Sequence, residues 1–232
     1  MKKGKTLIAV ALSLVCALAL SGCGGILSIL GNSPAETVKT LVQGNLDEIY
    51  LGKYDSEFLE LTNTTEAEAE QNYLDGLSVE ARYFADYCSI DYLTDEIEDE
   101  IVDLYKDIYS HSKYELGEVR KIDDDTYGVQ LTIYPMDIMQ QLADSSVDAI
   151  TEFNAQYSDA ELELINTDPD AYAAYDEAWA QMLIDLCRSL IPGTGYMDPV
   201  TMLVQVVRDS DGYWSISDND FSEIDADIIY YP

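Results

Sequence analysis

Residues 114–133 read YELGEVRKIDDDTYGVQLTI. Tyr114, Leu116 and Val119 lie along one run. Tyr127, Val129, Leu131 and Ile133 alternate along the next. Between them stand Asp123, Asp124, Asp125 and Thr126, residues that favour a turn. Apolar positions two apart on either side of a polar turn predict a β-hairpin with one buried face.

Upstream the period is helical. Ser33-Pro34-Ala35-Glu36 carries a capping residue, a proline suited to the first helical position and an acid three residues after the cap. Val38, Leu41, Val42, Leu46 and Ile49 follow at helical spacing, and Gly52 ends the run. A second helix is expected from about Asn63 to Ser89, with Asn63 and Glu66 as its box and Leu74, Leu77, Ala81, Phe84 and Cys88 as its stripe. Thr94 caps a third, striped by Ile97, Ile101, Leu104 and Ile108 and fraying near His111.

Downstream, Ile138, Leu142, Val147, Ile150 and Phe153 predict a helix to about Tyr157. Asp168-Pro169-Asp170 opens another through Trp179, Leu183, Leu186 and Leu190. Residues 200–207, VTMLVQVV, are almost continuously apolar, the pattern of a strand covered on both faces. Asp209-Ser210-Asp211-Gly212 is a second turn, and Tyr213-Trp214-Ser215-Ile216 is the partner strand. The acidic end, 217–232, holds a last short helix or strand. The expectation is an α+β fold: a curved antiparallel sheet packed on N-terminal helices, with a helical hairpin at about 136–191 inserted between two β-hairpins. Residues 34–232 read as a single domain.

That order of elements, closing on DSDGYWSI (209–216), resembles the nuclear-transport-factor-2-like, or cystatin-like, α+β cone. More closely, SPAETVKTLVQGNLDEIYLGKYD (33–55) after a lipobox resembles bacterial lipoproteins that carry a poorly characterised version of that domain. The resemblance implies a curved sheet wrapped on helices. It implies no single activity, because the cone hosts enzymes, binding modules and assembly domains.

The leader sets the compartment. Met1-Lys2-Lys3-Gly4-Lys5 is positive, and residues 6–20, TLIAVALSLVCALAL, are apolar but short of the roughly 20 residues a membrane span needs. Leu20-Ser21-Gly22-Cys23 matches a bacterial lipobox, in which the cysteine thiol takes a diacylglyceryl group and cleavage precedes it. Residues 1–22 are thus expected to be a signal peptide, Cys23 the lipidation site, and 23–33 a tether on the outer side of a bacterial cell membrane. The diacylglyceryl anchor makes the membrane one partner, and an unidentified envelope ligand or protein is expected as the other.

Charge narrows the function classes. The 232 residues include 45 acidic and 12 basic ones, a balance of −33. Three of the basic residues precede Cys23, leaving nine against 45 and a balance of −36. Such a chain lacks the basic face that nucleic acid requires. With one histidine, His111, it has little for histidine metal sites or His-dependent triads. Asn166, Asp168, Asp170 and Glu177 have calcium-loop spacing, but Ala171 stands where such a loop needs glycine, and Pro169 favours a helix start. No metal or cofactor is expected.

Cone-fold isomerases set a carboxylate and a tyrosine against an apolar pocket. The inward strand positions here are Val129, Leu131, Ile133, Val204 and Val206, none of them acidic, so no catalytic residue is assigned. Tyrosine, at 18 residues, is the type in excess. Tyr83, Tyr87, Tyr105, Tyr109, Tyr172 and Tyr175, with Trp179, read either as helix–sheet packing or as a recognition surface. Cys88 and Cys187 fall on apolar stripes, as a disulfide or as two buried thiols. The expected role is a non-enzymatic binding module. The alternatives are a cone-fold enzyme with an Asp/Tyr pocket and a structural subunit of the envelope.

Overall fold

The computed structural model describes residues 33–210 and 212–232. Leu20, Ser21, Gly22 and Cys23, with the signal peptide and nearly all of the tether, lie outside them.

Helix α1 runs Pro34–Leu51. The Ser33 hydroxyl accepts from the Glu36 amide at 3.3 Å, and the Glu36 carboxylate accepts from the Ser33 amide at 2.8 Å. Gly52 closes the helix in the left-handed region, φ 57°, where glycine avoids a Cβ clash. A short helix not expected from the sequence, α2 (Ser56–Thr62), follows under its own cap, Asp55. It seats Phe58 and Leu61 in the core. Asn63 therefore ends α2, at φ 50°, and does not begin the next helix. Asparagine tolerates that conformation, so the residue suits either role. Thr65 and Glu68 form the capping box of α3 (Glu66–Cys88). Helix α4 spans Asp95–Tyr109 and starts at Thr94.

Strands β1 (Lys113–Lys121) and β2 (Thr126–Tyr134) form the hairpin, with an irregularity between Leu116 and Val119. The stretch before the next strand holds α5 (Ile138–Asn154), α6 (Asp159–Ile165) and α7 (Pro169–Leu190), then a single 3₁₀ turn at Ile191–Gly193. The polar segment expected to link two helices thus contains a third. Ser158 and Glu161 box its start, and none of its residues is buried. Strands β3 (Val200–Arg208) and β4 (Trp214–Ile216) and helix α8 (Asp218–Ile228) complete the described elements.

The sheet is open and antiparallel, in the order β1-β2-β3-β4. Thr126 pairs with Val207 and Ile133 with Val200, so β2 and β3 match along almost their whole length across the three intervening helices. Helices α1 and α8 pack on one face of the sheet, and α3 and α4 pack behind α1. Helix α7 joins that layer through α4 and α3 and carries α5 and α6 with it.

One strand departs from its reading. β3 is covered on one face only: Val204 and Val206 are buried, whereas Thr201, Leu203 and Gln205 are exposed. An apolar run satisfies a one-sided strand as readily as a two-sided one, because periodicity in a continuous run carries no face information.

Candidate functional site

The face of the sheet beneath the helices is filled. Val129, Leu131, Ile133, Val204 and Val206 are all 0% exposed, and Ile224 and Ile228 of α8 are buried with them. At the margin, Tyr114 of β1 donates to Asp47 of α1 at 2.6 Å. Burial, then that bond, pushes the Tyr114 hydroxyl well above its ordinary range.

The acids and tyrosines meet elsewhere, in the helix layer. Glu80 lies on the α3 stripe that continues to Tyr83, Phe84 and Tyr87. Across from it, α1 brings Tyr50, α4 brings Tyr105 and Tyr109, α8 brings Asp225, and the chain end brings Tyr231. Tyr50 donates to Asp225 at 3.1 Å, and the hydroxyls of Tyr105 and Tyr231 share a 2.8 Å bond. The Tyr231 ring stands edge-on to Tyr83 and Tyr87, with centroids 5.1 and 5.2 Å away. Burial, with the Asp225 carboxylate second, holds Glu80 up at about 8, against a bond from Tyr109 that lowers it. Burial also raises Asp225, with the Tyr50 bond opposing. The rings of Tyr50, Tyr105 and Tyr109 are buried, whereas Glu80, Asp225 and Tyr231 are half-buried and Tyr83 and Tyr87 are exposed at the margin.

A general rule of this chain lies behind the cluster. Carboxylates far outnumber cations, so many acids are met by hydroxyls and amides, although buried Glu48 bonds Asn72 through one oxygen and leaves the other without a partner. Tyr134 bonds Glu115, and Tyr172 bonds Asp91 through a short contact that pushes the Tyr172 hydroxyl to about 12. Asp176 of α7 is buried and accepts from the Asp91 and Tyr92 amides, clasping the α3–α4 connection. Asp168 caps α7 through Asp170 and Ala171. No group of three or more His, Cys, Asp or Glu suited to a metal occurs among the described residues.

The seven aromatic residues singled out from the sequence therefore separate. Tyr105 and Tyr109 are buried and present no recognition surface, a correction that follows from their facing α1 and α3. Tyr83 and Tyr87 are exposed at their edges around Tyr231. Tyr175 and Trp179 pack with Phe153 between α5 and α7. Their polar tips are used, Trp179 on the Cys88 carbonyl and Tyr175 on Asn154. Tyr172 packs edge-on to Tyr92.

Cys88 and Cys187 are buried and free, not bridged. Burial pushes both thiols up to about 12. In the processed form that begins at lipidated Cys23, iodoacetamide at pH 8 should therefore leave both unlabelled while folded and add two adducts after unfolding in urea. Intact-mass spectrometry checks this, and a disulfide mass or labelling of the folded form would contradict it.

The second face of the sheet has no described element upon it. Its ladder sets Thr132 opposite Thr201, Gln130 opposite Leu203 and Gly128 opposite Gln205. Leu203 is 52% exposed, and nearby Ile122 is 53% exposed. The strands carry Lys113, Arg120, Lys121 and Arg208 against only Glu115 and Glu118. All other carboxylates of the described residues lie in helices and connections. The strands are thus slightly positive within a strongly acidic chain. At one end Lys113 Nζ sits 3.9 Å from the centre of the Tyr134 ring and 5.7 Å from that of Tyr196.

The fold has a counterpart among solved structures. The chain resembles ycdA of Bacillus subtilis, described as a candidate lipoprotein, with a TM-score of 0.52 and 14% identity. The likeness covers 85% of this chain and 56% of ycdA, so the chain spans little more than half of that protein. No known protein family's pattern matches the chain, and no curated protein matches it. Among the described residues no helix is long and apolar enough to cross a membrane.

Sequence reasoning missed the Glu80–Asp225 cluster because it sought acids only on inward strand positions. The available signal was Glu80 itself, an acid on a helix one turn before two tyrosines and a phenylalanine.

Proposed function

We propose that the chain is a lipid-anchored, extracytoplasmic lipoprotein of the bacterial envelope. In this reading it is a non-enzymatic module that holds a ligand or partner on the uncovered face of its sheet. The carrying observation is the contrast between the two faces: one is packed with aliphatic side chains, and the other is uncovered and almost free of carboxylates. A reacting site needs an ionisable group beside space for substrate. Here the acids of the cluster stand against the buried rings of Tyr50, Tyr105 and Tyr109. The motif Leu20-Ser21-Gly22-Cys23 supports the anchor, and the likeness to ycdA is in keeping with it. A diacyl chain holds firmly where one acyl chain is marginal. The carboxylates, at a formal balance of −36 after Cys23, push the body off an anionic surface over about a Debye length. The cone-like assignment belongs to the same reading, as does a single domain over 34–232.

Replacing Cys23 by Ser tests the anchor. The variant should be found unprocessed or in the soluble fraction, while the parent pellets with membranes. A cleaved Cys23→Ser protein that stays membrane-bound would refute the lipoprotein reading.

A further inference from the structure

We infer that the open edge of β3 is a self-association surface, on which a second copy of this chain adds its own β3 antiparallel about Met202. The two sides of the sheet end differently. β1 carries Lys113, Arg120 and Lys121 and is irregular between Leu116 and Val119, the charges and kinks that keep an edge strand from pairing. On the other side β4 covers only Val206, Val207 and Arg208 of β3. Gln205 comes next, its amide donating to Asp220 at 2.6 Å and its carbonyl accepting from the Ser217 amide at 2.8 Å. From Val200 to Val204 no described residue hydrogen-bonds that side of β3. This stretch, VTMLV, holds no charge, no proline and no bulge.

Backbone direction specifies the occupant. In an antiparallel strand the N–H and C=O of one residue point to the same side, and the side alternates along the strand. Gln205 points outward, so Leu203 and Thr201 do too, while Val200, Met202 and Val204 are bonded to β2. The edge thus offers a donor and an acceptor at each of two alternate residues, the complement of another extended backbone. Self-pairing meets all four groups. With Met202 facing Met202 across a two-fold axis, Thr201 of each copy lies opposite Leu203 of the other. The neighbouring registers fail. Thr201 opposite Thr201 brings Leu203 against Pro199, which has no N–H, and Leu203 opposite Leu203 brings Thr201 against Gln205, which is already bonded. Charge favours the same geometry. Each copy carries a balance of −36 after Cys23, and meeting through uncharged strand edges keeps the acidic helices of the two copies apart.

Oxidative cross-linking of the full chain in neutral detergent, with one cysteine introduced on β3, tests the register. Cys88 and Cys187 are buried, so the introduced thiol is the reactive one. Across a non-hydrogen-bonded antiparallel pair the Cα atoms stand about 4.5 Å apart, within reach of a disulfide. Met202→Cys should therefore form a dimer at least about ten times faster than Leu203→Cys, although Leu203 is 52% exposed and Met202 is half-buried. Chance collisions would reverse that order. Adding Thr201→Lys and Leu203→Lys, which gives this edge the charges of β1, should slow linking through Met202→Cys at least about tenfold with an unchanged melting temperature. Raising salt from about 0.05 to 0.5 M should speed linking, because the like charge of the two copies is screened. Absence of a dimer, linking through Leu203→Cys as fast as through Met202→Cys, or indifference to the two lysines overturns the inference. None of these outcomes bears on the anchor at Cys23 or on the ligand reading above.

Discussion

Glu80→Gln should stabilise the protein at pH 8.5 by roughly 3 kcal/mol and have almost no effect at pH 4. The Glu80 carboxyl is held at about 8, up from 4.5, first by burial and then by Asp225. A carboxyl raised in the folded state contributes stability that is fully present below the ordinary value of 4.5. That contribution is lost as pH rises toward about 8, because the unfolded chain releases the proton first. Gln keeps the neutral shape and has no proton to lose. The parent should therefore lose stability across this window, and the variant should lose much less. Groups facing the site from α1, α4, α8 and the chain end are Tyr50, Tyr105, Tyr109, Asp225 and Tyr231. Burial holds the four tyrosines well above their ordinary range, so they stay protonated through this window, and it also raises Asp225, whose carboxylate is the second cause that raises Glu80. Urea midpoints from pH 4 to 9 read the difference directly. Parallel curves for the two proteins would show that Glu80 is not the group responsible. On the acid side the sign reverses. Glu36, Glu68 and Glu161 are lowered by their cap hydrogen bonds, so the stability they add is lost as pH falls below about 4.5 in both proteins.

Gly44→Ala should lower the melting temperature by about 6 °C, although alanine is the better helix former. Propensity favours Ala by about 1 kcal/mol in mid-helix. Against this, a Cβ at Gly44 would lie 2.1 Å from Phe58 Cδ2, 2.2 Å from its Cγ and 2.7 Å from its Cβ. A ring can rotate, but Cβ is set by the backbone, so α2 itself must move away from α1. Phe58 is wholly buried and has no solvent to swing into. Overpacking of this kind costs about 3 kcal/mol, which leaves a net loss of about 2 kcal/mol after the propensity gain. For a chain of this size that corresponds to about 6 °C. Phe58→Leu in the same background should not restore the loss, because Leu keeps the Cβ. A melting temperature at or above the parent's would refute the close approach of α1 and α2.

Much of the secondary structure was legible for local reasons. Caps at Ser33 and Thr94, the left-handed glycine at 52 and the alternation through residues 127–133 are short-range physics, and each appears where the spacing put it. The misreadings share a cause. Asn63 and Thr65 are both competent caps, and only the burial of Phe58 and Leu61 decides that a separate α2 ends at the first. VTMLVQVV is compatible with one covered face or two, and only the placement of α1 and α8 on one side decides. Tyr105 and Tyr83 are the same residue type on neighbouring helices. One is buried and the other exposed because α1 lies against α4.

The amino-acid sequence by itself determined the α+β class and the acidic character, since these follow from composition and from contacts a few residues apart. Only the tertiary structure decided where acids meet tyrosines and which sheet face stays uncovered. The reason is distance along the chain. Tyr50 finds Asp225, Tyr105 finds Tyr231, and β2 pairs with β3 across three helices. Periodicity records how a segment divides between inside and outside, and it says nothing about which distant segment will share the inside with it.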